Sequence, residues 1–403
     1  MIKVAILGTG MVATHLAVGL ERIRLGEIEP YGVPFANYSF PYRPEDVKVV
    51  TTYDVDYSKL GKSLYSIAKQ LIGQETHVPT SLRDIYVREG VHLGSMQGMP
   101  VETKGLEERM TIFEAVERLV EEWKREDIDV IVNIITTEYG QAFNDPSLLE
   151  AAILENNKEK LTASHVYAYA ATLYSEKVKP VAFVNAIPTP LANDWAVVRI
   201  FENAGGIVLG DDGATGATPL TSDLLEHLAE RNRRVKYIVQ FNIGGNTDFL
   251  ALSMPERNVM KEITKSGIVR DILGYEAPHF IKPTGYLEPL GDKKFIAMNL
   301  EYISFNGYVD ELYIAGRIND SPALAGKLVD MIRIGKMAVE NGYRGTVEEI
   351  NGFFMKKPGP PNAVATAKII AHVRLSKWLE KHGVKMLSTV EQQRMDKSKV
   401  RER

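Results

Sequence analysis

Three basic residues recur at intervals of four in the segment RNVMKEITKS: Arg257, Lys261 and Lys265. The preceding SMPE favours a helix start, with Ser253 as the cap and Pro255 in the first turn. In such a helix the three cations lie on one face, where each like-charge pair costs roughly 0.2–0.5 kcal/mol. No acidic residue on that face offsets the cost. The pattern therefore indicates a site for an anionic ligand, although a solvated surface is the ordinary place for a single lysine.

A second pattern with chemical meaning is GTGMVA, which follows the apolar run IKVAIL and opens a helical pattern. Its spacing is the G-x-G-x-x-A form of the dinucleotide-binding fingerprint. Gly8 permits the tight turn, Gly10 lets backbone N–H groups approach a pyrophosphate, and Ala13 lets the helix pack closely on the strand. A tight turn without a ligand is the alternative. We predict that six residues contact the nucleotide: Gly8, Thr9, Gly10, Met11, Val12 and Ala13.

An acidic residue at the end of the second strand commonly binds the adenosine ribose in such folds. The strand pattern DVKVVTTYDVD ends with two candidates, Asp54 and Asp56, which lie further from the glycine loop than the usual ~20 residues. We favour Asp54. A solvated turn aspartate is the alternative.

Alternating strand and helix patterns predict how these residues are positioned. IDVIVNII and PVAFVNAIP are apolar runs typical of a parallel sheet, with helical segments between them. From about residue 216 longer strand patterns indicate a second sheet, and helical patterns return in ALAGKLVDMIRIGKMAVENG and AVATAKIIAHVRLSKWLEKHG. The fold class is α/β, with a Rossmann-type domain and a second sheet-rich α+β domain before C-terminal helices. We predict a nucleotide-binding domain at 1–215, the second domain at 216–325, helices at 326–390 that pack back on the first domain, and a flexible tail at 391–403.

Composition excludes several classes of protein. The 403 residues carry a formal net charge of −4, which argues against nucleic-acid binding through bulk electrostatics. The absence of cysteine excludes disulfides, thiolate zinc sites and cysteine nucleophiles. The eight histidines show no metal-binding spacing, and no run of about 18 apolar residues predicts a membrane span. We expect a cytoplasmic protein with no membrane partner.

Four motifs in the middle of the chain carry a family resemblance: GDDGATG, FNIGGNTD, KEITKS and GDKK occur in this order. With them the sequence resembles the myo-inositol-1-phosphate synthases, closest to the archaeal form. The resemblance implies NAD in the first domain, and catalysis and tetramer assembly in the second. It also implies conversion of glucose 6-phosphate to inositol phosphate by oxidation at C5, loss of a C6 proton, aldol closure, and reduction of the C5 ketone by the same NADH.

The resemblance implies four catalytic lysines: Lys261, Lys265, Lys294 and Lys356. From this resemblance we assign proton transfer at the C5 hydroxyl and the enolate to Lys294 and Lys265. The aldol oxyanion falls to Lys261 and the phosphate to Lys356. Because Lys357 adjoins Lys356, either lysine of FFMKKP can occupy the last position.

Further site residues follow from the same resemblance. Asp320 in NDSPALAG resembles the aspartate that orients a catalytic lysine. The substrate-binding candidates are Asn242, Asn246, Thr215 and Asp248. The remaining cofactor-binding candidates are Thr137, Glu138, Ser164, Asn185 and Asp212. A divalent cation such as magnesium can assist archaeal relatives, and Asp212 and Asp248 are its candidate ligands.

The sequence departs from the family at positions that bear on substrate identity, and two alternative functions stay open on other grounds. Ala214 stands where many relatives have a lysine, and Thr215 where many have a serine. A dehydrogenase of the homoserine or semialdehyde type, using NAD or NADP, is the enzymatic alternative. A NAD-binding protein without catalysis is the other. Arg257 is not part of the family's lysine set, and we interpret it as surface charge.

Overall fold

A computed structural model describes the chain from residue 1 to 388, except for the side chains of 255, 256 and 260–266 within one helix. The side chains of the predicted catalytic residues Lys261 and Lys265 therefore lie outside the described residues. The predicted tail at 391–403 also lies outside them.

The first part of the chain forms a six-stranded parallel sheet in the order β3-β2-β1-β4-β5-β6. Its elements, in chain order, are β1 Ile2–Leu7, α1 Met11–Arg24, β2 Val47–Asp54, α2 Leu64–Ile72, β3 Val87–Glu89, α3 Ile112–Glu126, β4 Val130–Asn133, α4 Pro146–Leu154, α5 Ala163–Lys177, β5 Ala182–Asn185, α6 Trp195–Ala204 and β6 Ile207–Leu209. Every residue of β4 and β5 is buried, as expected of strands covered by helices on both faces. This strand order is that of the dinucleotide-binding fold, so the predicted Rossmann-type sheet is confirmed.

The next part forms a four-stranded mixed sheet in the order β10-β9-β7-β8. Its elements are α7 Ala217–Ala229, β7 Arg234–Gly244, α8 Thr247–Ala251, α9 Pro255–Leu273, β8 His279–Tyr286, β9 Lys293–Ile303 and β10 Val309–Asn319. One face packs against α7 and α9 through a small hydrophobic core that includes Leu225, Ile238 and Leu300. On the opposite face Phe241, Phe280 and Tyr313 are exposed. The predicted second sheet is confirmed.

Three helices complete the described chain: α10 Asp320–Glu340, α11 Glu348–Phe354 and α12 Lys368–Lys381. Strand β10 continues directly into α10. The buried residues Leu328 and Ile332 of α10 join Ile2 and Ile6 of β1 in one hydrophobic core. The chain thus returns from the second sheet to the first, and the start of α10 lies where the two meet.

Two local predictions at the start of α9 are wrong. The N-cap is Met254, without a side-chain cap bond, because the Ser253 hydroxyl donates to a carbonyl of the preceding turn instead. Arg257 is not surface charge. It is only 7% exposed and donates to the carbonyl oxygens of Ser95 and Gln97, so it ties α9 to a loop of the first part.

Several elements lie where the sequence patterns predict none, namely α2, β3, α7, α8 and α11. Most are short, and β3 sits at the sheet edge, where the pattern of burial is weak. In the described part of the chain, none of the helices has the length and apolar character needed to cross a membrane.

Candidate active site

A cavity of about 410 Å³ lies between the carboxyl edge of the first sheet and the second sheet. Open α/β sheets bind ligands at this edge. Sixteen of the predicted site residues line it: Gly8, Thr9, Gly10, Met11, Val12, Ala13, Asp54, Thr137, Asp212, Thr215, Asn242, Asn246, Asp248, Lys294, Asp320 and Lys356. The fold thus brings residues that are far apart in the sequence to the wall of one cavity.

The glycine loop forms one end of the cavity. Gly8 has φ +94°, and a Cβ there would lie 2.7 Å from the carbonyl oxygen of Ile134, so a side chain cannot be accommodated. Gly10 is the N-cap of α1 and supplies no side chain to cap it. The first amides of α1, from Met11 and Val12, therefore remain available at the cavity wall. An uncapped helix N-terminus with this geometry suits a pyrophosphate.

Asp54 fixes the glycine loop to the end of β2. Its Oδ2 accepts from the Thr9 N–H at 2.9 Å, and its Oδ1 accepts from the Val55 and Asp56 N–H groups at 2.8 and 2.9 Å. The Lys59 ammonium lies 2.9 Å from Oδ2. The side chain of Asp54 is only 9% exposed. The alternative of a solvated turn aspartate is therefore wrong.

A second uncapped helix N-terminus faces the same cavity. Gly216 is the N-cap of α7 and makes no side-chain cap bond, and the first turn of α7 contains no acidic residue. Ala217 and Thr218, in that turn, line the cavity. A Cβ on Gly216 would lie 2.4 Å from Lys294 Nζ, so an ammonium group packs directly against the backbone at this helix end. Amide dipoles and a cation there converge on a place for an anion.

Lys294 is held by an aspartate from the start of α10. Its Nζ lies 2.9 Å from Asp320 Oδ1, which also accepts from the Thr215 hydroxyl at 3.3 Å. Lys294 is 7% exposed, and its Nζ lies 5.6 Å from the centroid of the Phe249 ring. The lysine is therefore confined on three sides and free toward the cavity.

Asp292 is a site residue that the sequence analysis missed. Its Oδ1 accepts from Asn246 Nδ2 at 3.0 Å and from the Ser321 hydroxyl at 2.6 Å. Its Oδ2 accepts from the Ser321 N–H at 2.9 Å, and its carbonyl accepts from the Asp320 N–H at 3.2 Å. Asp292 therefore fixes the start of α10 beside Lys294. The only sequence signal is its place in GDKK, where a turn aspartate is the ordinary interpretation.

Lys356 forms the second buried ion pair of the cavity wall. Its Nζ lies 2.9 Å from Asp212 Oδ1, and the two residues are 6% and 1% exposed. Its backbone N–H donates to the carbonyl of Asp212 at 2.7 Å. Lys357 instead exchanges backbone hydrogen bonds with Asp211 and does not line the cavity. Of the two lysines in FFMKKP, Lys356 is the one that faces the site.

Polar residues at the end of β7 and in the segment after it help to join the two sheets. Asp248 Oδ1 accepts from the Thr137 hydroxyl at 2.8 Å, and Thr137 follows β4 of the first sheet. Asn246 caps α8 by accepting from an amide at 3.1 Å. Asn242 donates through Nδ2 to the Lys282 carbonyl at 3.1 Å. These side chains therefore hold the loop in place as well as lining the cavity.

Three predicted cofactor residues do not reach the cavity wall. Glu138 accepts from the Ser164 and Ala163 N–H groups at the start of α5, at 3.0 and 3.2 Å. Burial raises the pKa of Glu138 above its ordinary value, against the effect of these hydrogen bonds. Asn185 donates to Asp211 Oδ1 at 2.8 Å and accepts from Asn133. Glu138, Ser164 and Asn185 form a buried polar layer behind the cavity wall. The side chain of each is hydrogen-bonded to backbone groups or to neighbouring side chains.

The two candidate metal ligands do not fit a magnesium site. Magnesium needs near-octahedral oxygen coordination. Asp212 has the Lys356 ammonium against its carboxylate, and Asp248 accepts from Thr137. Among the described residues, no group of three or more His, Asp or Glu side chains could hold a metal ion.

Comparison with known proteins gives matches over nearly the whole chain. A sequence model of the family myo-inositol-1-phosphate synthase matches residues 216–321. The solved structure of a myo-inositol-1-phosphate synthase-related protein from Thermotoga maritima is 55% identical, with a TM-score of 0.89, and the match covers 94% of this chain and 98% of that chain. Inositol-3-phosphate synthase of Mycolicibacterium smegmatis is 26% identical over 375 residues, which are 89% of this chain and 93% of that protein.

A more distant structure shows the fold alone. Inositol-3-phosphate synthase from Caenorhabditis elegans is 15% identical with a TM-score of 0.77, over 96% of this chain and 86% of that chain. The Thermotoga maritima match shows more than the fold, because an identity of 55% extends over 94% of this chain. The resemblance stated from the four central motifs is confirmed. This chain belongs to the myo-inositol-1-phosphate synthase family.

Proposed function

We propose that the protein converts D-glucose 6-phosphate to 1L-myo-inositol 1-phosphate, with NAD oxidising C5 and the same NADH reducing it again. The observation that carries the proposal is a single cavity onto which two uncapped helix N-termini and two buried lysine–aspartate pairs converge. A dinucleotide and a phosphorylated sugar each need one anion site, and the cavity offers two.

The glycine loop fits NAD. Its uncapped amides suit the pyrophosphate, and Asp54 lies at the strand end where the ribose is bound in this fold. The group held there would supply the hydride chemistry at C5, oxidation first and reduction later. The protein contributes a rigid binding loop, because the Asp54 carboxylate holds Thr9 and, with it, the start of α1 in place.

The start of α7 is the proposed phosphate site. The positive end of the α7 dipole, with the Ala217 amide, and the nearby ammonium groups stabilise a dianion in a largely buried place, where such interactions are stronger than in water. Lys356 contributes from the opposite segment, where it lines the same cavity. This assignment follows the role that the resemblance gave to Lys356.

Lys294 is the proposed group for proton transfer. It donates to Asp320, so its orientation is set before the substrate enters. As a neutral amine that faces the C5 oxygen, Lys294 can take up the hydroxyl proton when C5 is oxidised, and the ammonium so formed can return this proton when the ketone is reduced. Confinement by Asp320 and the Phe249 ring keeps Nζ at one position during both steps.

The test is turnover of glucose 6-phosphate with NAD, followed by phosphorus NMR, with and without magnesium. Inositol monophosphate without net NADH is the expected result, since the redox cycle closes on itself. Lys294→Met is expected to abolish turnover. Lys293→Met is the matched control, because Lys293 is the exposed neighbour on the same strand. Net NADH with a keto-sugar would instead support the dehydrogenase alternative, and nucleotide binding without turnover would support the non-catalytic one.

We also propose a homotetramer that assembles through the open face of the second sheet. Phe241 and Phe280 lie on this face with ring centroids 5.9 Å apart, and they are 45% and 39% exposed. Tyr313 on β10 is 75% exposed. Exposed aromatic side chains on one sheet face, with two of them in contact, are typical of protein–protein contacts. A cytoplasmic location stays a prediction from the sequence.

A further inference from the structure

Two lysines lie behind the wall of the cavity and have no role in the function proposed above. Lys368, at the start of α12, is 5% exposed, and Lys327 of α10 is partly buried. Among the described side chains, neither lysine has a carboxylate within ion-pair distance. Charged groups are rarely buried without a partner, because leaving water is costly. Such a pair of lysines needs an explanation.

The contacts of Lys368 lead directly to Lys356. Its Nζ donates to the carbonyl oxygens of Gly352 and Met355, each at 2.6 Å. Both carbonyls belong to the end of α11, where the last carbonyls lack helical partners. Met355 is the residue before Lys356. Lys368 therefore fixes the backbone from which the Lys356 side chain projects.

Lys327 holds the opposite segment. Its Nζ donates to the carbonyl oxygen of Ala214, two residues after Asp212. The Ala214 N–H in turn donates to the Phe354 carbonyl at 2.8 Å, and Gly213 and Met355 form an antiparallel bridge, so the two segments are joined through their backbones. One buried lysine thus secures each segment that presents the Asp212–Lys356 ion pair.

We propose that Lys327 and Lys368 are positioning residues that hold Asp212 and Lys356 in the cavity wall and place a second layer of positive charge beneath the substrate phosphate. This inference rests on the proposed function, which puts a phosphate beside Lys356. Neither lysine lines the cavity, so both act through Lys356 and through the electrostatic field.

The ionisation of the two lysines supports this arrangement. Burial, together with the charges of Lys327 and Lys356, lowers the pKa of Lys368 to about 7. Burial and the charge of Lys356 lower the pKa of Lys327 to about 8. An anion nearby favours the charged form and raises both pKa values. Phosphate binding near pH 7.5 is therefore accompanied by proton uptake, and the affinity falls as the pH rises above this range.

The other charged groups around Lys368 come from three elements. Asp223 of α7 opposes the lowering of the pKa, while Lys327 and Lys356 add to it. His372, one turn further along α12, stacks on Phe35 with ring centroids 5.1 Å apart. The carboxylate of Asp223 accepts from the Ile369 N–H at 3.0 Å and so caps α12. Its carboxylate is thereby engaged by the helix and leaves the lysines without a direct ion pair.

The experiment compares wild type with Lys368→Met, Lys327→Met and a control, Lys377→Met, on the exposed face of α12. Isothermal titration calorimetry measures binding of inorganic phosphate, and of a glucose 6-phosphate analogue that lacks the C1 aldehyde and cannot cyclise. Two buffers with different ionisation enthalpies give the number of protons taken up at pH 7.5. Melting temperatures identify any variant that fails to fold, and Lys327→Met, at the less buried position, then carries the test.

We expect Lys368→Met to weaken phosphate binding about tenfold, the change in affinity that is linked to a rise of about one in the pKa of Lys368 on binding. The variant should also lose most of the proton uptake. Lys377→Met is expected to match wild type. Folded Lys368→Met and Lys327→Met variants with wild-type affinity and proton uptake would overturn the inference, even if glucose 6-phosphate is turned over. If the two variants bind phosphate more weakly than wild type but wild type does not turn over glucose 6-phosphate, the inference is supported and the proposed function is refuted. Failure of wild type to bind either anion would overturn both.

Discussion

Gly216→Ala is the sharpest perturbation of the site that the structure offers. A Cβ at this position would lie 2.4 Å from Lys294 Nζ and 3.1 Å from Asp320 Oδ1. Ordinary van der Waals contact begins at 3.4 Å, so Nζ must retreat by 3.4 − 2.4 = 1.0 Å. The ammonium is the far end of a flexible side chain, so it can move while the fold persists.

The displacement has a calculable cost for catalysis. A misplacement of about 1 Å at a reacting group can lower the rate about 10²-fold, or about 2.7 kcal/mol in the activation free energy. The backbone at Gly216 has φ +60° and ψ −127°, where a residue with a side chain is strained by about 1–3 kcal/mol. We therefore expect kcat to fall about a hundredfold and the melting temperature to fall by a few degrees.

The assay is steady-state turnover of glucose 6-phosphate, with melting temperature measured in parallel. Gly19→Ala is the matched control, because Gly19 lies within α1 and a Cβ there meets no atom within 4 Å. That control should keep full activity and gain about 0.5–1 kcal/mol of stability. If a folded Gly216→Ala variant keeps kcat within a factor of about three of wild type (~0.6 kcal/mol), Lys294 is not confined as described, and its role in proton transfer is refuted.

Three further predictions address other parts of the molecule. Asp54→Ala should weaken NAD binding about tenfold in a fluorescence titration, because the Thr9 N–H loses its acceptor. An unchanged affinity would show that the glycine loop keeps its conformation without Asp54. Phe241→Glu should reduce the assembled mass in light scattering, since it places a charge on the open face of the second sheet, whereas an unchanged tetramer would move the interface elsewhere. Burial lowers the pKa of His165 to about 4, so the folded state resists its protonation and stability is lost as the pH falls from 6.5 toward 4. His165→Asn should flatten that part of the melting-temperature profile, and an equally steep profile would contradict the assignment.

The first sheet could be predicted because its signals are local. The glycines of GTGMVA and the uniformly apolar runs of β4 and β5 need no knowledge of distant residues. Arg257 shows that local spacing in the sequence does not predict long-range contacts. Its spacing with two lysines indicated a shared cationic face, but its carbonyl partners lie in the loop at 95–97, more than 150 residues away. Sequence spacing on one helix cannot report which loop packs on it.

The same limit separates the predicted site residues that line the cavity from those that do not. Glu138 and Thr137 are adjacent in sequence, yet Thr137 reaches across to Asp248, while Glu138 turns inward to the start of α5. Asp292, despite its place in GDKK, and Lys368 were not predicted as site residues, since a turn aspartate and a helix lysine are ordinarily solvated. Their roles become visible only through the partners that the fold brings to them.

The two ion pairs of the cavity explain why the site depends on the whole fold. Lys294 comes from the second sheet and Asp320 from the helix that returns to the first, while Lys356 follows α11 and Asp212 follows β6. A buried lysine without its carboxylate would tend to lose its proton, and a buried carboxylate without its lysine would tend to gain one. Each partner therefore maintains the charge of the other only when the distant segments are docked. A chain that folds one sheet alone would retain the glycine loop but not the charged wall opposite it, so nucleotide binding and turnover should be separable by disrupting either ion pair.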